Sequence, residues 1–460
     1  MLKIANVIPL YKGGSVEDPN NYRPISLLPT ISKIFEKHIA KQLHIYLEST
    51  GLLNKTQSGF RKYHSCQTAL INIVDSWLKQ IDNGNLVGTI FLDFKKAFDL
   101  VDHRVLLHKL KLYHFNDSSC DLFSSYLRNR FQFIKAENTT STCKSIIAGV
   151  PQGSILGPLL FLIYVNDLSL DLTCDSAMYA DDTTLHTVGT NIQTLQNKLQ
   201  TNLSIVNDWC QTNNMIINPL KTTCMVLGSK RKAQNMTDLK LKISDTVIKT
   251  VNCQKLLGLY IDNTLSWKLH INSVCSKMSS RMFLLQKIKP YLTLKMRKLF
   301  YNGYISPISD YACVTWSSAA KTEINRIVKI QKRCGAHILN KKYSTNSKTL
   351  FNNLKWLTFE QRNHYFTSVI VFKAFHNQTP TYIRDLLTPS QNIHYNLRSC
   401  EKGDLKLVRI PKTNYFKQSF EFSSKTIWNS LPQSIRQTNN LITFKKKLKA
   451  YLSSTLYEIN

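Results

Sequence analysis

The stretch Met178-Tyr179-Ala180-Asp181-Asp182-Thr183-Thr184-Leu185 decides how the rest of this chain is read. Its flanks, 176–180 and 183–188, have the make-up of two short strands, so the adjacent acids are expected in a hairpin turn. Upstream, Leu86-Val87-Gly88-Thr89-Ile90-Phe91-Leu92 is an apolar run of the kind a buried strand needs, and it ends in Asp93. Three carboxylates presented at strand ends and brought together repel one another unless a divalent cation lies among them. Hard oxygen ligands with open positions suit Mg2+ and phosphate-bearing substrates. The pattern points to metal-assisted phosphoryl or nucleotidyl transfer, with Asp93, Asp181 and Asp182 as ligands.

The chain has 460 residues, enough for two or three domains, and 43% hydrophobic residues, as in an ordinary soluble protein. Its formal charge of +31 is not ordinary. Residues 263–460 hold 32 of the 60 Lys and Arg but only 8 of the 29 Asp and Glu, so the positive field is concentrated there. Such asymmetry argues for a polyanionic partner, most simply nucleic acid, because counterion release favours that association. The 11 cysteines are scattered, without a C-x2-C pair or zinc-knuckle spacing, and read as reduced, mostly buried side chains of a nuclear or cytoplasmic protein. No signal-peptide pattern opens the sequence and the longest apolar run, 158–165, is too short to cross a bilayer, so no membrane role is expected.

Six ordered blocks carry a specific resemblance. Asp93-Phe94-Lys95-Lys96-Ala97-Phe98-Asp99, Gly149-Val150-Pro151-Gln152-Gly153-Ser154 and Tyr179-Ala180-Asp181-Asp182 follow one another as they do in reverse transcriptases. Asn21-Tyr22-Arg23-Pro24-Ile25-Ser26-Leu27-Leu28, Gln57-Ser58-Gly59-Phe60-Arg61 and Leu156-Gly157-Pro158-Leu159-Leu160-Phe161 are similar to the polymerases of jockey-type non-LTR retrotransposons. The resemblance implies an α+β, right-hand polymerase. Its antiparallel palm sheet would be backed by helices, with helical fingers and a mostly helical, basic thumb and C-terminal region. Fingers and palm would occupy 1–262, with fingers at 1–85 and about 105–150, the thumb 263–340, and a basic region of open role 341–460. Members of the family normally carry more of the fingers and an endonuclease upstream, neither of which is in this sequence.

The implied activity is RNA-directed DNA synthesis, extending a DNA primer on an RNA template with deoxynucleoside triphosphates and two Mg2+ ions, Mn2+ being an alternative. The rival is a catalytically inactive, nucleic-acid-binding remnant of a mobile element; a metal-dependent nuclease would have no use for Phe98 or Gln152. By resemblance, Arg23 and Lys12 on the first strands reach the triphosphate, the backbone at Lys96-Ala97 passes close to it, and Phe98 lies beneath the sugar. A ring there collides with a ribose 2′-hydroxyl. Gln152 and Gly153 lie in a glycine-rich loop that holds nucleotide and templating base, and Lys221 is matched to a general acid for the departing pyrophosphate. Lys277, Arg281 and Lys287 would line a thumb along the duplex, and Arg61 a template-contacting loop, a plain solvated loop being the other reading there.

Local patterns predict strands at 4–12 and 21–28, helices at 30–47, 67–81, 191–210 and from 267, mostly helix over 106–133, and a strand-to-helix passage over 93–102. Asp99 is expected to cap or pair locally within that passage.

Overall fold

In the computed structural model the described residues are 3–136, 139–233, 239–387, 404–406 and 410–454. Gly13 and Gly14, both at positive φ, lie where the chain turns back after β1 (Ile4–Tyr11), which pairs antiparallel with β2 (Tyr22–Leu27). Helices α1 (Thr30–Ser49) and α2 (Cys66–Asp82) follow, the second opened by a reciprocal cap between Ser65 and Thr68. Next come β3 (Leu86–Leu92), α3 (His103–Leu112), α4 (Asp117–Leu127), β4 (Arg130–Ala136), β5 (Thr139–Thr140) and β6 (Lys144–Ile146). Strand β4 pairs parallel with β1 and antiparallel with β5 and β6. The stretch expected as fingers therefore carries a mixed sheet, β2-β1-β4-β5 with β6 on β4, beside its helices. The helical pattern over 106–133 breaks into two helices and a strand because Arg128 is already extended, and 130 onward pairs with β1.

A second sheet stands where the palm is expected. Helix α5 (Gly157–Val165), β7 (Asp175–Tyr179), β8 (Asp182–Gly189), α6 (Ile192–Thr212) and β9 (Thr223–Leu227) precede α7 (Lys230–Ala233) and the short strands β10 (Lys242–Ile243), β11 (Thr246–Val247) and β12 (Lys249–Thr250). The order is β12-β9-β3-β8-β7, antiparallel except for the parallel edge pair β12 and β9. Every residue of β3 is buried because both faces of the sheet are covered. Leu86, Ile90 and Leu92 pack with Leu160 and Ile163 of α5 and Leu195, Leu199 and Leu203 of α6. Gly88 is small because a Cβ there would meet Leu199 Cδ1 at 2.8 Å.

Val87 and Phe91 point the other way, into a core shared with Trp77 of α2 and with Trp267, Ile271 and Met278 of α8 (Lys268–Ile288) or just before it. A hairpin of β13 (Cys253–Leu256) and β14 (Leu259–Asp262) leads into that helix, and Asp262 accepts from Ser266 N and Trp267 N where it begins. After α9 (Leu294–Phe300), α10 (Ser306–Asp310) and α11 (Cys313–Trp316), α12 (Lys321–Leu339) packs along α8. The apolar side chains of 263–340 thus share one core with β3.

The described part of 341–460 also builds core. Helices α13 (Ser347–Leu354), α14 (Phe359–Phe375) and α15 (Thr381–Asp385) precede the helices Asn414–Lys417, Phe420–Asn429 and Leu441–Ser454. Phe372 stacks on Phe444, with Trp428 tilted against the latter, in a cluster that reaches Ile71 of α2. Two buried acids of α2 receive this region. Asp75 accepts from Phe420 N (2.8 Å) and Glu421 N (2.7 Å), and Asp82 accepts from Lys412 N (3.1 Å) and Thr413 N (2.8 Å). Burial pushes the Asp75 carboxyl up to about 7.

Candidate active site

Antiparallel register sets the acids. Leu92 lies opposite Thr183, so continuing one residue brings Asp93 beside Asp182, on the same face of the palm sheet. Tyr179 pairs with Asp182, leaving Ala180 and Asp181 as a two-residue turn with Ala180 at φ +58°. Asp181 thus occupies the turn expected from sequence, whereas Asp182 is the first residue of β8. Beneath Asp93 the backbone is pinned on two sides: its N–H donates to Thr222 Oγ1 (3.2 Å) and its carbonyl accepts from Asn218 N (2.7 Å).

The charge of Asp93 reaches both Asp181 and Asp182. Desolvation by the surrounding turn, then the charges of Asp181 and Asp93, push the Asp182 carboxyl up to about 6, with Arg23 pulling the other way. Burial also raises Asp181; Asp93 adds to the rise, while its own backbone N–H, Arg23 and Lys12 oppose it. Among the described residues no Lys, Arg or His forms an ion pair with any of the three. Nor, among those residues, do three His, Cys, Asp or Glu side chains already converge as a metal cage. As a donor set, oxygen-only and mutually repelling, the group fits hard divalent ions. Beside Asp182 a cleft of about 20 Å³ opens between Thr56, Ser58, Asn72, Tyr179 and Leu257, room for roughly one water and not for a nucleotide.

Arg23 sits exposed on β2 opposite Leu10, and its charge reaches Asp181 and Asp182; that of Lys12 reaches Asp181 and Asp99. After Asp93 the chain makes turns rather than a helix, because Lys96 adopts φ +45°, and α3 begins only at His103. Its cap is Asp102, which accepts from Arg104 N (2.8 Å) and Val105 N (3.3 Å); the expected local role of Asp99 is corrected accordingly. Asp99 instead reaches Gln152, whose Nε2 donates to Asp99 Oδ1 at 2.9 Å. Lys96 is exposed and Ala97 buried. Phe98 stacks on Phe161, centroids 4.2 Å apart and planes at 22°, with the Phe60 ring edge-on at 6.3 Å.

The loop carrying Gln152 and Gly153 lies against two neighbours. Gly149 N and Val150 N donate to Val101 O and Phe98 O, and Ser26 N donates to Gln152 O at 2.7 Å. Gly153 is at φ +119°, where a Cβ would stand 2.5 Å from Ser26 O. The structure thus brings Asp93, Phe98, Asp99, Gln152, Asp181, Asp182 and Arg23 into one neighbourhood. Lys221 is exposed one residue before Thr222, the anchor of Asp93.

The basic residues assigned to nucleic acid fare differently. Arg61 is almost wholly enclosed: its guanidinium pairs with both oxygens of Glu48 (2.9 and 2.8 Å) and donates to Asn54 O and Gln57 O. That network ties the 54–61 loop to α1, and leaves Arg61 little surface to offer a template. Lys277 and Lys287 are exposed on α8, while Arg281 lies over the Tyr304 ring, 4.1 Å from its centroid. Sequence reasoning passed over Gln57, which is buried against the Ala180 turn, and Thr222 and Asn218, which hold Asp93. Only tertiary pairing reveals them, because their partners lie more than 120 residues away along the chain.

With that geometry in view, residues 11–267 match the family model for reverse transcriptase (RNA-dependent DNA polymerase). The chain belongs to the reverse transcriptase family. It is similar to the probable RNA-directed DNA polymerase from transposon BS of Drosophila melanogaster, 29% identical over 378 residues, covering 78% of this chain and 41% of that protein. It is likewise similar to the RNA-directed DNA polymerase from mobile element jockey of the same species, 28% identical over 365 residues and covering 77% and 39%. This chain therefore spans about two fifths of the length of the curated relatives it matches. Among solved structures it is similar to telomerase from Candida albicans in complex with a TWJ fragment of telomeric RNA, with TM-score 0.44 and 12% identity over 78% of this chain and 66% of that one. Among the described residues no helix is long and apolar enough to cross a membrane.

Proposed function

We propose that this chain extends a DNA primer on an RNA template, using deoxynucleoside triphosphates as substrates. The observation that carries the reading is the placing of three acids together: the strand register sets Asp93 beside Asp182 with Asp181 in the adjoining turn, and among the described residues no cation is ion-paired to any of them. Asp93, Asp181 and Asp182 would hold two Mg2+ or Mn2+ ions. Such ions make the primer 3′-hydroxyl more acidic and offset charge on the leaving pyrophosphate.

The chain's own groups do the rest. Arg23 and Lys12 supply positive field at Asp181, and Lys96 at the neighbouring Asp99, for the triphosphate, whose charge would otherwise be repelled by three carboxylates. Phe98 is held face-on to Phe161, so its ring cannot swing aside for a ribose 2′-hydroxyl. Gln152 meets the nucleotide in one orientation, because Asp99 holds its amide nitrogen. Lys221 donates a proton toward the departing pyrophosphate. The exposed Lys277 and Lys287 follow the duplex by its phosphates.

The test is primer extension on an RNA template with deoxynucleotides and Mg2+, comparing the chain with Asp181→Ala. Template-dependent synthesis that disappears in the variant, with duplex affinity kept, supports the reading. Duplex binding without synthesis in the unaltered chain would establish the non-catalytic remnant instead, and synthesis retained by Asp181→Ala would remove the acids from the reaction.

A further inference from the structure

We propose that Gln57 is a positioning residue for Asp181: its buried amide clamps the turn that aims this carboxylate. The inference rests on the metal-holding reading given above for the three acids. Ala180 carries a Cβ at φ +58°, a conformation a non-glycine residue adopts only when its surroundings impose it. Gln57 imposes it. Its Oε1 accepts from Ala180 N (2.9 Å) and from Gly59 N (2.7 Å), while its Nε2 donates to Ala180 O (3.3 Å). Both ends of residue 180 are thereby held by one side chain that is 1% exposed.

The geometry matters because Ala180 O belongs to the peptide plane that carries Asp181 N. Fixing that carbonyl fixes the torsion about the Ala180 Cα–C bond, and with it the direction in which Asp181 leaves the turn. An amide presents an acceptor and a donor on separate atoms, so it can hold both ends where a carboxylate or an aliphatic residue could not. The clamp is itself held. Ser58 N donates to Met178 O (2.8 Å) and Met178 N to Thr56 O (3.0 Å), so 56–58 runs as an extra strip along β7. Gly59 leaves no room for error, as a Cβ there would stand 2.3 Å from Ala180 N. From the far side, the Tyr382 hydroxyl of α15 lies 3.0 Å from Ser58 Oγ, bracing the strip from the C-terminal region.

The test compares the unaltered chain with Gln57→Met, which keeps length but makes none of the three bonds, and Gln57→Asn, whose shorter amide cannot span residue 180. Binding of Mn2+ without nucleic acid is followed by electron paramagnetic resonance, and the Mg2+ dependence of primer extension is measured beside it. Gln57→Met should raise the Mn2+ dissociation constant and the half-saturating Mg2+ concentration by about tenfold, and Gln57→Asn by less, with duplex affinity unchanged. A merely structural role would lower the melting temperature and leave both metal constants alone, and that result overturns the proposal. Should Gln57→Met fail to fold, an unaltered Mn2+ constant in Gln57→Asn overturns it equally. If the unaltered chain binds Mn2+ and loses affinity in the variants but makes no DNA, the polymerase reading fails while the clamp stands.

Discussion

Replacing Asp182 with Asn should stabilise this protein while disabling it. Desolvation and the neighbouring charges of Asp181 and Asp93 lift the Asp182 carboxyl from 3.8 to about 6. The fold thus prefers the protonated form; stability from this group is full below 3.8 and is lost as pH rises through about 6. A rise of roughly two units corresponds to at most about 3 kcal/mol against the folded state at pH 7.5. Asp182 still meets solvent, so screening leaves about 1 kcal/mol of that. Asn mimics the protonated carboxyl and should recover that amount at pH 7.5 and about half of it at pH 5, where the parent is already largely neutral at this site. Urea unfolding at the two pH values measures the difference, with Mg2+ left out. Added Mg2+ should then stabilise the parent more than Asp182→Asn, because the ion binds the folded acids. A variant less stable than its parent at pH 7.5, or a gain that grows toward pH 5, would show that the site stores no carboxylate repulsion.

Other outcomes follow from particular contacts. Phe98→Val removes the ring stacked on Phe161 and should raise incorporation of ribonucleotides relative to deoxynucleotides by tenfold or more, read by extension with each substrate set. Asp99→Ala frees the Gln152 amide and should raise KM for deoxynucleotides about fivefold with a smaller change in kcat, since binding and not the metal site is disturbed. Asp82→Ala strips the acceptor from Lys412 N, Thr413 N and the Thr413 hydroxyl; it should cost about 2–4 kcal/mol in urea unfolding and expose the helix Asn414–Lys417 to limited proteolysis.

The parts of the fold that came through in the sequence are those dictated by local pattern. The unbroken apolar run 86–92 can only be a strand covered on both faces, and the stripe Leu195, Leu199, Leu203 can only back it. The acids were legible for the same reason: a hairpin and a strand end place carboxylates wherever their register puts them. What local pattern could not supply was non-local partnership. Arg61 reads as a free cation in a polar loop, yet Glu48 and two carbonyls absorb it. Asp99 reads as capping or pairing locally, yet with Lys96 at positive φ no helix forms there and the carboxylate meets Gln152, 53 residues away. The excess of Lys and Arg beyond 263 suggests nucleic acid alone, whereas an apolar cluster of Phe372, Trp428 and Phe444 that reaches Ile71, together with the buried acids Asp75 and Asp82, docks that region on α2.

The most direct measurement is a crystal structure with Mn2+, a primer–template duplex and a non-hydrolysable deoxynucleotide, with Mn2+ located by anomalous scattering. Two peaks ligated by Asp93, Asp181 and Asp182, with the nucleotide sugar over Phe98, are the expected result. Peaks bound elsewhere, or an Asp93 carboxylate turned away from an ion held by Asp181, would contradict the account.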